Sequence, residues 1–125
     1  MKILNKEVEF SFTDADNMEK LENSIEVAQQ KMEKLNQNDK MSVIISSTYD
    51  IISECLDNIF GKGFSAEIFE GKKEFKNCIK AFSDLMQAKN EQDKELDDEI
   101  KNLQKSINLA ETKYSGNRAT RRAKK

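Results

Sequence analysis

Apolar residues recur at intervals of three and four along most of this chain, and no proline interrupts them anywhere in its 125 residues. A repeat near 3.6 puts such residues on one face of a helix, and proline is the residue that breaks a helix outright. Most of the backbone is thereby committed to amphipathic helices. Met18, Leu21, Ile25, Ala28, Met32 and Leu35 predict a first helix over about 16–36. Asp16 is its expected cap, with Glu19 three residues on completing a capping box. Asn36-Gln37-Asn38-Asp39 breaks the pattern, and a second helix follows over about 40–60. Its apolar face is broader, including Val43, Ile44, Ile45, Tyr49, Ile51, Ile52, Cys55, Leu56, Ile59 and Phe60. A stripe that wide needs cover on two sides, so this is the expected central helix. Gly61-Lys62-Gly63 ends it, since glycine takes the left-handed terminal conformation at little cost.

A short helical turn is predicted over 65–70 with Ser65 as cap, and Gly71 then resets the chain. From about 73 the helical spacing resumes with Phe75, Ile79, Phe82 and Met86, fades across Gln87 to Lys94, and returns at Leu96, Ile100, Leu103, Ile107, Ala110 and Tyr114. Both stretches share one heptad phase if Lys89 and Asp93 fill seam positions. One helix therefore runs through a wet middle, or the chain bends near Asn90. Unbroken, such a helix is roughly 60 Å long, more than the width of a small domain. Ser115-Gly116-Asn117 is the expected stop. At the other end, Lys2 to Leu4 and Glu7 to Phe12 predict a β-hairpin turning at Asn5-Lys6, with Val8, Phe10 and Phe12 alternating with Glu9 and Ser11. The predicted fold is mainly α: a bundle of three to four helices with a long C-terminal helix and a short N-terminal β-hairpin. Residues 1–112 form the expected domain and 113–125 a flexible basic tail.

Charge is distributed unevenly. Residues 113–125 hold six positive charges and no acid, and the remainder has 15 basic against 23 acidic residues, a net of -8. The chain has no histidine, which removes the commonest general base and zinc ligand. Its two cysteines, Cys55 and Cys78, sit inside apolar helical patterns and read as buried reduced thiols, with a disulfide between two facing helices as the alternative. Gly61-Lys62-Gly63-Phe64-Ser65 lacks the spacing and preceding strand of a phosphate loop. The acidic run Asp93, Glu95, Asp97, Asp98 and Glu99 lacks the glycine and alternation of a calcium loop, and reads as a solvated helix face. No apolar run approaches the ~20 residues that span a bilayer, and the early Glu7 interrupts any signal-peptide core. The expectation is a cytoplasmic protein without catalytic residues, metal or cofactor, acting by binding other proteins.

Two features carry that expectation. A long helix extending past a small body leaves the stripe Leu96, Ile100, Leu103 and Ile107 in water unless a partner helix, a second copy or the first helix covers it. The basic end, with Arg118, Arg121 and Arg122, suits an acidic protein partner or the acidic body itself, or reads equally as a solubilising tail. It lacks the interleaved aromatics that stack bases, so any contact with nucleic acid is non-specific.

Three segments resemble a known family. Ile3-Leu4-Asn5-Lys6-Glu7-Val8-Glu9-Phe10-Ser11-Phe12 is similar to the hairpin that opens many small tail assembly proteins of bacteriophages infecting Gram-positive bacteria. The block Asp57-Asn58-Ile59-Phe60-Gly61-Lys62-Gly63-Phe64-Ser65, through Ile68-Phe69-Glu70-Gly71 to Phe75, Cys78 and Ala81-Phe82, resembles one shared by such phage and prophage proteins. Asn117 to Lys125 is similar to the basic C-terminus of many phage tail proteins. The resemblance implies a tail assembly chaperone that coats the tape measure protein, keeps it soluble and recruits tail tube protein. It implies no catalytic residues. A phage accessory protein binding nucleic acid through its basic tail, or a structural virion component, is the alternative.

Overall fold

The computed structural model describes the backbone of residues 1–123 and the side chains of 1–109. Two short strands come first, β1 (Lys2–Ile3) and β2 (Lys6–Glu7), followed by four helices: α1 (Ala15–Glu33), α2 (Met41–Phe60), α3 (Phe64–Phe69) and α4 (Phe75–Ala123). The chain is thus mainly helical with an N-terminal antiparallel hairpin, as the spacing predicts. It divides into two compact units, residues 1–90 and 91–125.

The first unit holds the core. The hairpin pairs Lys2 with Glu7 and Ile3 with Lys6, so the turn falls on Leu4-Asn5, one residue earlier than expected. Both turn residues have positive φ, 48° and 68°. Two successive left-handed residues match the twist of a two-residue hairpin, and Asn5 tolerates that conformation readily. The second strand is also shorter than expected. Val8 still donates its amide to the Met1 carbonyl at 2.7 Å, and the chain leaves the ladder from Glu9, yet the alternation persists, with Phe12 buried, Val8 and Phe10 half-buried, and Glu9 and Ser11 exposed. Phe10 makes edge contacts with Phe12 and Phe60, whose ring centroids lie 4.9 and 5.5 Å away. Packing on α2, rather than strand pairing, accounts for the period of two.

α1 begins earlier than expected. Asp14 is the cap, its carboxylate accepting the Asn17 amide at 2.9 Å, and Asp16 lies in the first turn, where its charge suits the helix dipole. The capping box of Asp16 and Glu19 is not formed. Leu21, Ile25 and Ala28 are buried as the spacing requires, with Ser24 beside them. Across from them α2 buries Ile51, Ile52, Cys55, Leu56 and Ile59. At the rim, Lys31 reaches Glu54 at 2.8 Å, an exposed pair worth under about 1 kcal/mol.

The link from α2 to α3 is a tight corner. Gly61 and Gly63 have φ of 113° and 93°, a region closed to most side chains. Gly63, not Ser65, is the cap position of α3. Ser65 lies inside that helix and is buried. Its amide and its hydroxyl both donate to the Asp57 carboxylate of α2, at 2.8 and 3.0 Å. Asp57 thus satisfies the start of α3 from a neighbouring helix, because the two-glycine corner brings that start back beside it. On the same corner, Lys6 of the hairpin pairs with Glu67 and stands 5.6 Å from the centroid of the Phe64 ring.

α4 starts at Phe75 and packs through a different face from the expected one. Cys78, Ala81 and Leu85 are fully buried, whereas Phe75 and Ile79 are exposed and Phe82 and Met86 half-buried. The small side chains at 78 and 81 let this face pack on the core, and a turn of roughly 100° about the helix axis, one residue position, separates it from the bulkier one. Ala28 on α1 and Cys55 on α2 provide the same slimness, each 2% exposed. The Leu4 amide donates to Asp84 of α4 at 3.1 Å, which ties this helix to the hairpin turn.

Beyond Asn90 the helix continues. Helical backbone is assigned through Asn90 and through the expected stop at Ser115-Gly116-Asn117, as far as Ala123. A glycine within a helix costs only about 1 kcal/mol relative to alanine, and Ala, Arg and Lys around Gly116 are strong helix formers. The segment expected as a flexible tail therefore has helical backbone to Ala123. The side chains of Ala110 and Tyr114, and those of Arg118, Arg121 and Arg122, lie outside the described residues.

Candidate partner-binding surface

The second unit offers one face that its own sequence does not cover. Along α4, Leu96 is half-buried, while Ile100, Leu103 and Ile107 are 53, 60 and 48% exposed. Spacings of four, three and four residues put these side chains in one row on the helix. Leu109, still more exposed at 67%, lies on the opposite side of the helix, roughly 150° around from that row. The periodicity gave no reason to select Leu109, since it falls outside the heptad seam. A row of branched aliphatic side chains in water is the half-site for another amphipathic helix.

Polar neighbours frame the row. Lys101 bridges to Asp97 one turn back at 2.9 Å. The hydrogen bond and charge of Asp97 hold its ammonium pKa above the usual lysine value. Gln92 donates to Glu95 at 3.3 Å. These contacts run along the helix surface, leaving the apolar row open between them.

The model of a family of unknown function, DUF6673, matches residues 4–125. The chain belongs to that family. No curated protein matches it, and neither does any solved structure. The DUF6673 match spans both units, so the apolar row and the basic run both fall inside the family's own boundaries.

Within the first unit, exposed apolar side chains are spread over three helices. Met41 and Val43 open α2, Val27 lies on α1, and Phe75 and Ile79 open α4. An open depression beside α1 is lined by Asp16, Glu19, Lys20, Asn23, Ser24, Val27 and Asn58, a polar set in which Val27 is the one large apolar side chain. Among the described residues no three acidic, cysteine or histidine side chains converge as metal ligands, and no helix is long and apolar enough to cross a membrane.

Both cysteines are free and buried. Burial, reinforced by the charge of Glu54, pushes the Cys55 thiol from 9.0 up to about 12. Cys78 is also raised, by burial and then by Glu74. The thiols are thus held in their protonated, unreactive form at neutral pH. A folded thiol that keeps its proton longer than an unfolded one contributes stability that is complete below pH 9.0 and is lost as pH climbs toward about 12. The urea midpoint should accordingly fall as pH rises from about 9 toward about 12. The fall should be shallower in Cys55→Ala. An unchanged slope in that variant would assign the loss to other groups.

Proposed function

We propose that the protein is a non-catalytic chaperone that covers an apolar helical segment of another polypeptide, acting in the bacterial cytoplasm during phage tail assembly. The observation that supports this reading is the exposed row Ile100, Leu103 and Ile107 with Leu96 at its head. A client helix laid against this row removes apolar surface from water on both partners, and the densely charged surroundings keep the complex in solution. The resemblance of the hairpin, the Asp57–Phe82 block and the basic end to phage tail assembly proteins directs the choice of client to the tape measure protein, with tail tube protein as the next partner recruited. A client many hundreds of residues long would be held by weak contacts repeated along its length, so that avidity replaces single-site affinity.

Co-expression with a tape measure protein tests the proposal. The client's soluble fraction should rise several-fold with the wild-type chain, and the gain should disappear with Ile100→Asp. That variant should keep its urea midpoint, since Ile100 is over half exposed. A client equally soluble with and without the chain would reject the proposal. The acid-free run of six positive charges over 113–125 supports a second reading, non-specific contact with nucleic acid. Retention on DNA that falls steeply with salt and vanishes when residues 115–125 are removed, with client solubility unaffected, would select it.

A further inference from the structure

The geometry points to a cationic amphipathic helix as the occupant of the α4 row. Its apolar seam is flanked by lysine or arginine on the half that meets Leu96 and Ile100, and by uncharged residues on the half that meets Leu103 and Ile107. This inference rests on the docking reading above and names the chemistry of the helix that docks.

The row alone selects no partner; the charges around it do. Residues 91–109 hold six carboxylates and three lysines, and the helix sorts them by side. At about 100° per residue, Asp93, Glu95, Asp97 and Glu99 lie within roughly 110° of the mid-line of the row, and no lysine does. Lys94, Lys101 and Lys105 lie roughly 130–170° round, on the back of the helix, together with Glu91 and Asp98. The face that carries the row is therefore negative throughout.

The negative charge is also graded along the row. Asp97 and Glu99 take the two positions that border the seam at Ile100, one on each side, and Asp93 stands in line with the seam one turn before Leu96. One heptad further on, the bordering positions hold the uncharged Gln104 and Ser106. Lys101 reaches round from the back to Asp97 at 2.9 Å, with both side chains more than half exposed. An ion pair that open is weakly held and shares its carboxylate with a partner's cation.

In a pair of helices the residues bordering the two seams face one another, so charges there choose the partner. Carboxylates on both borders favour basic residues in the facing positions and oppose other occupants. Helices that lie on membranes carry lysine and arginine beside their apolar side, because the lipid surface is negative. The phosphates of nucleic acid are repelled for the same reason. A second copy laid parallel and in register sets carboxylate beside carboxylate. The fade to neutral residues then fixes the register, with the basic half of the partner beside residues 93–99.

The test uses the full chain and two synthetic helical peptides of about three heptads with one leucine–isoleucine seam. One peptide has lysine at every position bordering the seam, the other glutamate. At about 0.1 M salt the lysine peptide should bind at least about tenfold more tightly in fluorescence anisotropy, and at about 1 M salt the two affinities should converge. The double variant Asp97→Lys, Glu99→Lys should reverse the order of the two peptides, a result that an unfolded chain could not give. Ile100→Asp should abolish binding of the lysine peptide. Leu109→Asp, at a position equally open to water on the far side, should leave it unchanged.

Equal affinity for the two peptides, or an order that the double variant leaves unreversed, would overturn the inference. So would a chain that light scattering places at twice 14.4 kDa, that Ile100→Asp returns to the monomer and that neither peptide splits, since a second copy then fills the row. Co-expression with the client separates this inference from the docking reading. If Ile100→Asp loses client solubilisation and the double variant keeps it, the row docks a helix without regard to charge, and only the inference falls. If Ile100→Asp loses nothing, both fall.

Discussion

Leu85→Ala is expected to lower the unfolding free energy by about 3 kcal/mol, within the range for leucine truncation in a packed core. Leu85 has no exposed surface, and on α4 it follows Cys78 and Ala81, which have none either. These three side chains form the face by which the first part of α4 closes the core. Truncation removes the transfer energy of the lost carbons and leaves a void that its neighbours, in α-helices at either side, can only partly fill. The matched control is Leu103→Ala, where the same chemical change at a 60% exposed position should move stability by about 0.5 kcal/mol or less. Urea unfolding followed by circular dichroism measures both. Equal losses at the two positions would mean that α4 is not packed through the face described here.

The second large effect is expected at the corner between α2 and α3. Asp57→Ala should cost about 2 kcal/mol, because it leaves two buried donors, the Ser65 amide and hydroxyl, without an acceptor. Asp57→Asn, which keeps one carbonyl oxygen, should cost less. Ser65→Ala alone removes the hydroxyl bond but keeps the amide bond, so it too should be milder. Combining Asp57→Ala with Ser65→Ala should then cost less than the two single losses together, since the hydroxyl is no longer stranded; strict additivity would show that the two residues do not act on one another.

Where one physical term dominated, the structure could be read from sequence. Leu21, Ile25 and Ala28 follow a helical repeat with polar residues between them, and they are buried. The bounds of α2 lie within a residue of expectation because Asn36 to Asp39 and Gly61 mark both ends chemically. Where two terms competed, local signals misled. Asp14 and Asp16 are both adequate caps, and the path of the chain from Phe12, not residue type, selects the first. Phe75 and Ile79 are larger and more apolar than Cys78 and Ala81, so the sequence pattern favours them; the close approach of α4 to the core favours the smaller pair. Ser65 resembles a cap by type, yet its partner Asp57 lies eight residues back across a turn that no local window contains. For the candidate surface, spacing identifies Leu96, Ile100, Leu103 and Ile107 as a row, but only the structure reports that the last three are exposed to about half or more of their extent.

The slim contacts of the core have an evolutionary consequence. Ala28, Cys55, Cys78 and Ala81 set how near the helical axes come, and a larger side chain at any of them would wedge the packing apart. Solvent-facing positions carry no such restriction. Substitutions at solvent-facing positions should therefore be tolerated widely while these four sites should accept only a narrow range of volumes, so that a distant cousin would be recognised by its bulk profile before its letters.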